Sequence, residues 1–361
     1  MSSAVLDRAG LDQLVELLIA DGYRVIGPTV RDGAIVLAEL DSGAQLPAGW
    51  GVDVAPGRYR LRRRSDAAVF AHSAGPQSWK QFLHPPRRRL FTDDGAGFEP
   101  VEDDPGRYAF LGVRGCDLAA IATLGTVLQG TDGFARRRDG LFVVAASCLE
   151  PGGVCFCASM GTGPAPGPGY DLSLTERIDD DGHRFLVDVG SEAGAALLDR
   201  LAHHPATTAE QDEARGAVAA AAGRMGRQMP VGDLRALLRD NRESPHWDAV
   251  AERCLTCGNC TMVCPTCFCT TVEDVTDLTG EHAERAERWA SCFELAFSYL
   301  HGGSVRVSGA SRYRQWMTHK LSTWHDQFGG SGCVGCGRCI AWCPVGIDIT
   351  AEAAALAAGH D

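Results

Sequence analysis

The sequence contains no apolar run approaching the roughly 20 residues that a bilayer span requires, and Met1 to Leu6 lacks the basic start and apolar stretch of an export signal. A soluble, cytoplasmic protein without a membrane partner is expected. Positive charge is also short: 34 Lys and Arg stand against 46 Asp and Glu, a net charge of −12. That balance argues against general nucleic-acid binding, which needs a basic face. Signatures of substrate chemistry are missing as well. No GxGxxG follows a strand and no GxxxxGK[ST] occurs, so neither a dinucleotide fold nor a phosphate loop can be named. The Gly-rich stretch at residues 160–164 follows a cysteine pair instead of a strand and reads as loop backbone. No CxxC pairs of the kind that hold nickel lie near the two termini, and no nucleophile–base pair stands out; His84, His203 and His204 read as surface residues. No catalytic residue is therefore expected.

What is present is cysteine. The 361 residues carry 15, and eleven fall between Cys254 and Cys343. An odd total with tight CxxC spacing and no leader points to thiolate ligands in a reducing compartment rather than to disulfides. Hydrophobic residues make up 45%, an ordinary globular proportion, and the length suggests two domains of roughly 100–200 residues.

The pattern along the chain predicts an α+β protein in which a mixed α/β domain, residues 1–240, precedes an all-helical dicluster domain, residues 241–361. Leu11, Leu14, Leu17 and Leu18 predict a helix over 7–21, followed by strands at 23–27 and 34–40. A helix is predicted at 75–89. The short apolar runs at 108–113 and 141–146 each suit one buried strand, and each leads into cysteine. Residues 161–169 (GTGPAPGPG) must be loop. Residues 192–225 read as helical, and so do 281–300, with Trp289, Phe293, Ala296 and Leu300 on one face.

Two cysteine groups share the pattern CxxCxxCxxxCP: Cys254, Cys257, Cys260 and Cys264, then Cys333, Cys336, Cys339 and Cys343. Three cysteines at two-residue gaps wrap one face of a cubane, and the fourth, a helical turn later, reaches the other cluster. The expected ligand sets therefore cross: Cys254, Cys257, Cys260 and Cys343 for one 4Fe-4S cluster, and Cys333, Cys336, Cys339 and Cys264 for the second. Zinc sites also use CxxC, but as separated pairs. Glycines inside the motifs are expected to let backbone approach the cluster sulfides. Cys264 and Cys333 are 69 positions apart, far more than in small two-cluster ferredoxins, which favours a helical dicluster domain. Within that insert Arg306, Arg312, Arg314 and Lys320 occur without an acidic residue over 305–324. They read either as cations beside an anionic cluster or as a solvated helix face above Tyr313, Met317, Leu321 and Trp324.

Cys116, Cys148, Cys155 and Cys157 remain in the first domain, enough for a third 4Fe-4S cluster at one sheet edge. Buried structural thiols or zinc are the alternatives. Cys267, Cys269 and Cys292 could hold a metal with a fourth, non-cysteine ligand; the pattern favours thiols lining the core.

Together the segments GPQSWKQFLHP, GVRGCDLAAI, SCLEPGGVCFCASMGTGP, CGNCTMVCPTCFC, RYRQWMTHKLSTW and GCVGCGRCIAWCPVGIDIT resemble the iron-sulfur beta subunit of cytoplasmic sulfhydrogenases, to which the electron-transfer subunit of anaerobic sulfite reductase is related. The resemblance covers about residues 75–350. It implies a non-catalytic electron relay in an NAD(P)-linked nickel-iron hydrogenase complex, beside a flavin subunit that handles NAD(P)H and the hydrogenase small and large subunits. A sirohaem sulfite reductase is the alternative complex, and a sensing protein with structural clusters the alternative class. The resemblance assigns no role to Cys267, Cys269 and Cys292.

Overall fold

The computed structural model describes residues 3–102, 106–180 and 182–359; Met1 and Ser2, part of the segment read above for a leader, lie outside the described residues. An eight-stranded sheet organises the first half. Its order is His204–Pro205, Ser3–Asp7, Gly182–Val189, Leu172–Asp179, Phe142–Ala146, Tyr108–Val113, Arg24–Arg31 and Ala34–Glu39. The four strands from Leu172–Asp179 to Arg24–Arg31 run parallel, and the remaining pairs are antiparallel.

Strands Tyr108–Val113 and Phe142–Ala146 are apolar throughout because both faces are covered. On Tyr108–Val113, Ala109 and Leu111 face a core with Leu11, Leu14, Leu18 and Phe185. Tyr108, Phe110 and Val113 face a second core with Trp79, Leu83, Leu118 and Ile121. Helix Arg8–Ala20 starts on the Asp7 side chain, which accepts from the Gly10 amide at 2.7 Å, and buries its leucines in the first core. A bulge interrupts the pairing at Gly112, whose φ of +86° suits glycine, and redirects the chain towards Arg114 and Cys116.

The second half departs from the sequence reading. The segment between the two cysteine motifs is not all-helical: Thr270–Thr276 and Ala283–Trp289 are strands. They form a four-stranded antiparallel sheet with Arg87–Asp93 and Glu99–Pro100, so strands from both sides of residue 240 share one sheet. The helix expected over 281–300 is absent. Ala, Glu and Arg favour helix locally, but Glu287 pairs with Arg88 and Glu284 with Arg87 across the strands, and this partnership overrides propensity. Likewise the helix expected over 75–89 shrinks to Lys80–Leu83 before strand Arg87–Asp93 begins. The stretch 192–225 divides into Glu192–Leu198 and Thr208–Ala222 around the short strand His204–Pro205. Among the described residues no helix is long and apolar enough to cross a membrane.

Buried His72 gives the fold an acid limit. Burial, followed by the neighbouring Arg114, lowers its pKa from 6.5 to about 3. The folded state therefore keeps the imidazole neutral while the unfolded chain takes up a proton. Its contribution is complete above about pH 6.5 and is lost as pH falls towards about 3. Denaturant unfolding from about pH 7 to about pH 5 should cost wild type about 2 kcal/mol more than His72→Leu. Parallel pH dependences of the two proteins would refute this.

Candidate metal centres

The two CxxCxxCxxxCP segments fold alike. In each, a glycine in left-handed conformation, Gly258 at φ +75° and Gly337 at φ +74°, starts a four-residue helix that carries the third cysteine. The motifs face one another, and the Asn259 side-chain amide donates to the Trp342 carbonyl across the junction. Cys254 has Cys343 and Cys257 as its thiol neighbours, and Cys260 has Cys292, Cys254, Cys343 and Cys257. Cys254, Cys257, Cys260 and Cys343 line one cavity, which Cys339 also borders, and its remaining wall is mainly apolar, with Phe293, Tyr313 and Trp316. Cys264, by contrast, lies among the second motif: Cys333 has Cys336 and Cys264 nearby, and Cys339 has all three. Burial raises most of these thiols, taking Cys333 up to about 12 against the opposing pull of Lys320, and Cys336 up to about 11.

The four cysteines of the first half also come together. Cys116 lies in the first turn of helix Gly115–Val127, just after strand Tyr108–Val113, and Cys148 follows the adjacent parallel strand Phe142–Ala146. Cys157 is within hydrogen-bond reach of Cys116, and Cys155 is close to both Cys148 and Cys116. All four are buried. This group adjoins the second motif, since the Cys155 thiol points at the Cys336 carbonyl at 3.9 Å.

The glycines of the second motif also make a contact that the sequence did not suggest. A Cβ on Gly335 would lie 2.6 Å from the Cys157 backbone, and one on Gly337 would lie 2.5 Å from the Val154 carbonyl oxygen. They admit the first-half cysteine loop, and both have positive φ.

Sequence reasoning passed over several charged groups at the site. Arg338, within the second motif, is buried against Asp117 at 2.7 Å, and its Nε donates to the Gln77 carbonyl. Arg114 donates to the Phe70 and His72 carbonyls at 2.7 Å each and sits beside Cys148. Arg338 was legible as the basic residue inside CGRC; Arg114 had no signal beyond its place before Cys116. The basic run divides between its two readings. Lys320 is buried and donates to Cys264 Sγ at 3.1 Å. Arg312 and Arg314 instead clamp the carbonyls of Phe293 and Arg242 at 2.6 Å each, while Tyr313, Met317, Leu321 and Trp324 are buried beneath. His203 and His204 are exposed as expected, whereas His84 is half-buried and stacks on Trp289.

Residues 253–347 match the family described as "4Fe-4S dicluster domain". The chain is 32% identical over 280 residues to sulfhydrogenase 2 subunit beta of Pyrococcus furiosus, an alignment covering 74% of this chain and 79% of the relative. No solved structure matches the chain.

Gly335→Ala should force the two cysteine loops apart. The backbone it would meet cannot swing aside, and the left-handed φ adds about 1–2 kcal/mol of strain. A thermal midpoint several degrees lower and reduced iron content are expected. Unchanged values for both would show that the contact is dispensable.

Proposed function

The chain belongs to the sulfhydrogenase beta-subunit family, and from that premise we propose that it relays electrons within an NAD(P)-linked nickel-iron hydrogenase complex. It is an iron-sulfur electron-transfer subunit. In the proposed assembly it works beside a flavin subunit that handles NAD(P)H and the hydrogenase small and large subunits. The sulfhydrogenase relative favours this assembly over a sirohaem sulfite reductase.

The observation that carries the reading is the crossed neighbourhood of the eight motif cysteines. Cys254, Cys257, Cys260 and Cys343 would hold one 4Fe-4S cluster, and Cys333, Cys336, Cys339 and Cys264 the second. Cys116, Cys148, Cys155 and Cys157 would hold a third. The donors fit such groups: four thiols per set, in surroundings that are apolar or cationic. A bound cluster accepts and releases one electron at a time. The protein supplies the rest. Phe293, Tyr313 and Trp316 keep water from the first set, while Lys320 and Arg338 set positive charge beside the second. Cys257 is exposed, which opens the first set towards a partner, and the third set lies next to Cys336 on the opposite flank. The three sets would thus form a series, with residues 1–240 carrying one end and 241–361 the other.

Cys264→Ser should impair the cluster of Cys333, Cys336 and Cys339, and Cys343→Ser that of Cys254, Cys257 and Cys260, as read by electron paramagnetic resonance of reduced protein. The opposite pairing would mean that each motif closes on itself. Purified with its natural partners, the chain should bring nickel and flavin with it; sirohaem in their place would move it to a sulfite reductase.

A further inference from the structure

The chain has only two lysines, Lys80 and Lys320, and both are buried at one place. The Lys80 ammonium donates to the Cys267 carbonyl at 3.0 Å and lies 3.6 Å from the centre of the Trp289 ring. Lys320 donates to Cys264 Sγ, to Thr266 Oγ1 at 3.0 Å and to the Gly332 carbonyl at 3.3 Å. The negative charges that would act on both are those of thiolates: Cys264, Cys267 and Cys269 at Lys80, and Cys264, Cys267 and Cys333 at Lys320. Two ammonium groups buried this close together require anionic company. Cys264 and Cys333 already belong to the second cluster set, and the other thiols facing these lysines, Cys267 and Cys269, belong to no motif.

Lys320 also lines a cavity of about 210 Å³ that shares no residue with the one around Cys254 and Cys257. The three cysteines left over from the motifs, Cys267, Cys269 and Cys292, all line it, and so does His319. They converge from three elements. Cys267 and Cys269 follow the first motif, Cys292 follows strand Ala283–Trp289, and His319 opens the one π-type turn, His319–Thr323, in the described helix run from Gly309 to Phe328. Such widened turns concentrate at functional sites. His319 Nε2 lies 3.1 Å from the Gln327 side-chain oxygen, an acceptor. With the Gln327 oxygen accepting from Nε2–H, Nδ1 would be the ligating atom, the arrangement in which a hydrogen bond to one ring nitrogen orients an imidazole that binds metal through the other.

We propose that Cys267, Cys269, Cys292 and His319 hold a further 4Fe-4S cluster, whose negative charge Lys80 and Lys320 offset. A single ion is disfavoured, because among the described residues no three ligand-type side chains converge as closely as one ion demands. A cubane is wider and takes its ligands further apart. The donor set of three thiolates and one neutral imidazole leaves this cluster less negative than its all-cysteine neighbours, and its reduction potential is correspondingly higher. It adjoins the second cluster set through Cys264 and Lys320 and the first through Cys292, a neighbour of Cys260, so it would form a branch from the proposed relay, on which its placement, though not its existence, depends.

The test uses the full-length chain purified anaerobically, with iron and sulfide analysis and a redox titration followed by electron paramagnetic resonance. The double variant Cys269→Ala/Cys292→Ala should lose about four irons relative to wild type while the signals of the two motif clusters persist. His319→Cys should keep wild-type iron and move one midpoint potential lower; this variant leaves the thiols in place and carries the test if the double variant does not fold. Wild-type iron in the folded double variant, stoichiometric zinc, or unaltered potentials in His319→Cys would overturn the proposal. Because the motif-cluster signals are read in the same samples, failure of the relay reading would show separately, as their absence from wild type.

Discussion

Backbone meeting backbone at one place holds the cysteine sets in their mutual arrangement. The loop Val154 to Cys157 lies directly on the turn around Gly335 and Gly337, close enough that no side chain fits between. The Phe156 amide donates to the Gly335 carbonyl at 2.9 Å, and Thr162 Oγ1 donates to the Val334 carbonyl at 2.7 Å. Main-chain bonds therefore set the spacing between the cysteines of the sheet edge and those of the second motif. Val154 and Phe156 extend the contact into the core formed by the C-terminal helices, so the two halves cannot separate without exposing it.

A second constraint follows from collecting so many thiols in so little space. Thiolates or clusters in a low-dielectric interior must be matched by positive charge or by hydrogen-bond donors. Buried cations serve this purpose: Lys80 and Lys320 share one place among Cys264 and Cys267, Arg338 stands beside Cys336, and Arg114 stands beside Cys148. Asp117 then balances Arg338, as its partner at 2.7 Å. Elsewhere arginine is the cation of the exposed surface, where it pairs with carboxylates such as Glu39, Asp274 and Asp326.

Local pattern disclosed the parts of this protein whose causes are local. The cysteine spacing, the helix over Arg8–Ala20 and the apolar strands Tyr108–Val113 and Phe142–Ala146 each follow from residues within a few positions of one another. Hidden from that reading were the sheet pairings and several contacts decided at long range. The stretch Ala283–Trp289 has helix-forming composition and becomes a strand because Arg87–Asp93 supplies complementary charge from the far side of the chain. The roles of Lys80 and Gly335 were equally obscure, since each depends on a neighbour more than 170 positions away.

That long-range strand bears on synthesis. Arg87–Asp93 finds its neighbour Ala283–Trp289 only after almost 200 further residues have been made. Until then the growing chain carries an unpaired strand edge, the kind of surface that recruits other chains. Its first three residues are Arg87, Arg88 and Arg89. Consecutive arginines repel a second copy of the same strand and keep the waiting edge hydrated, then become ion-pair partners once Glu284 and Glu287 emerge. The charges that hold the finished sheet together thus also protect the nascent protein from aggregation while the sheet is incomplete.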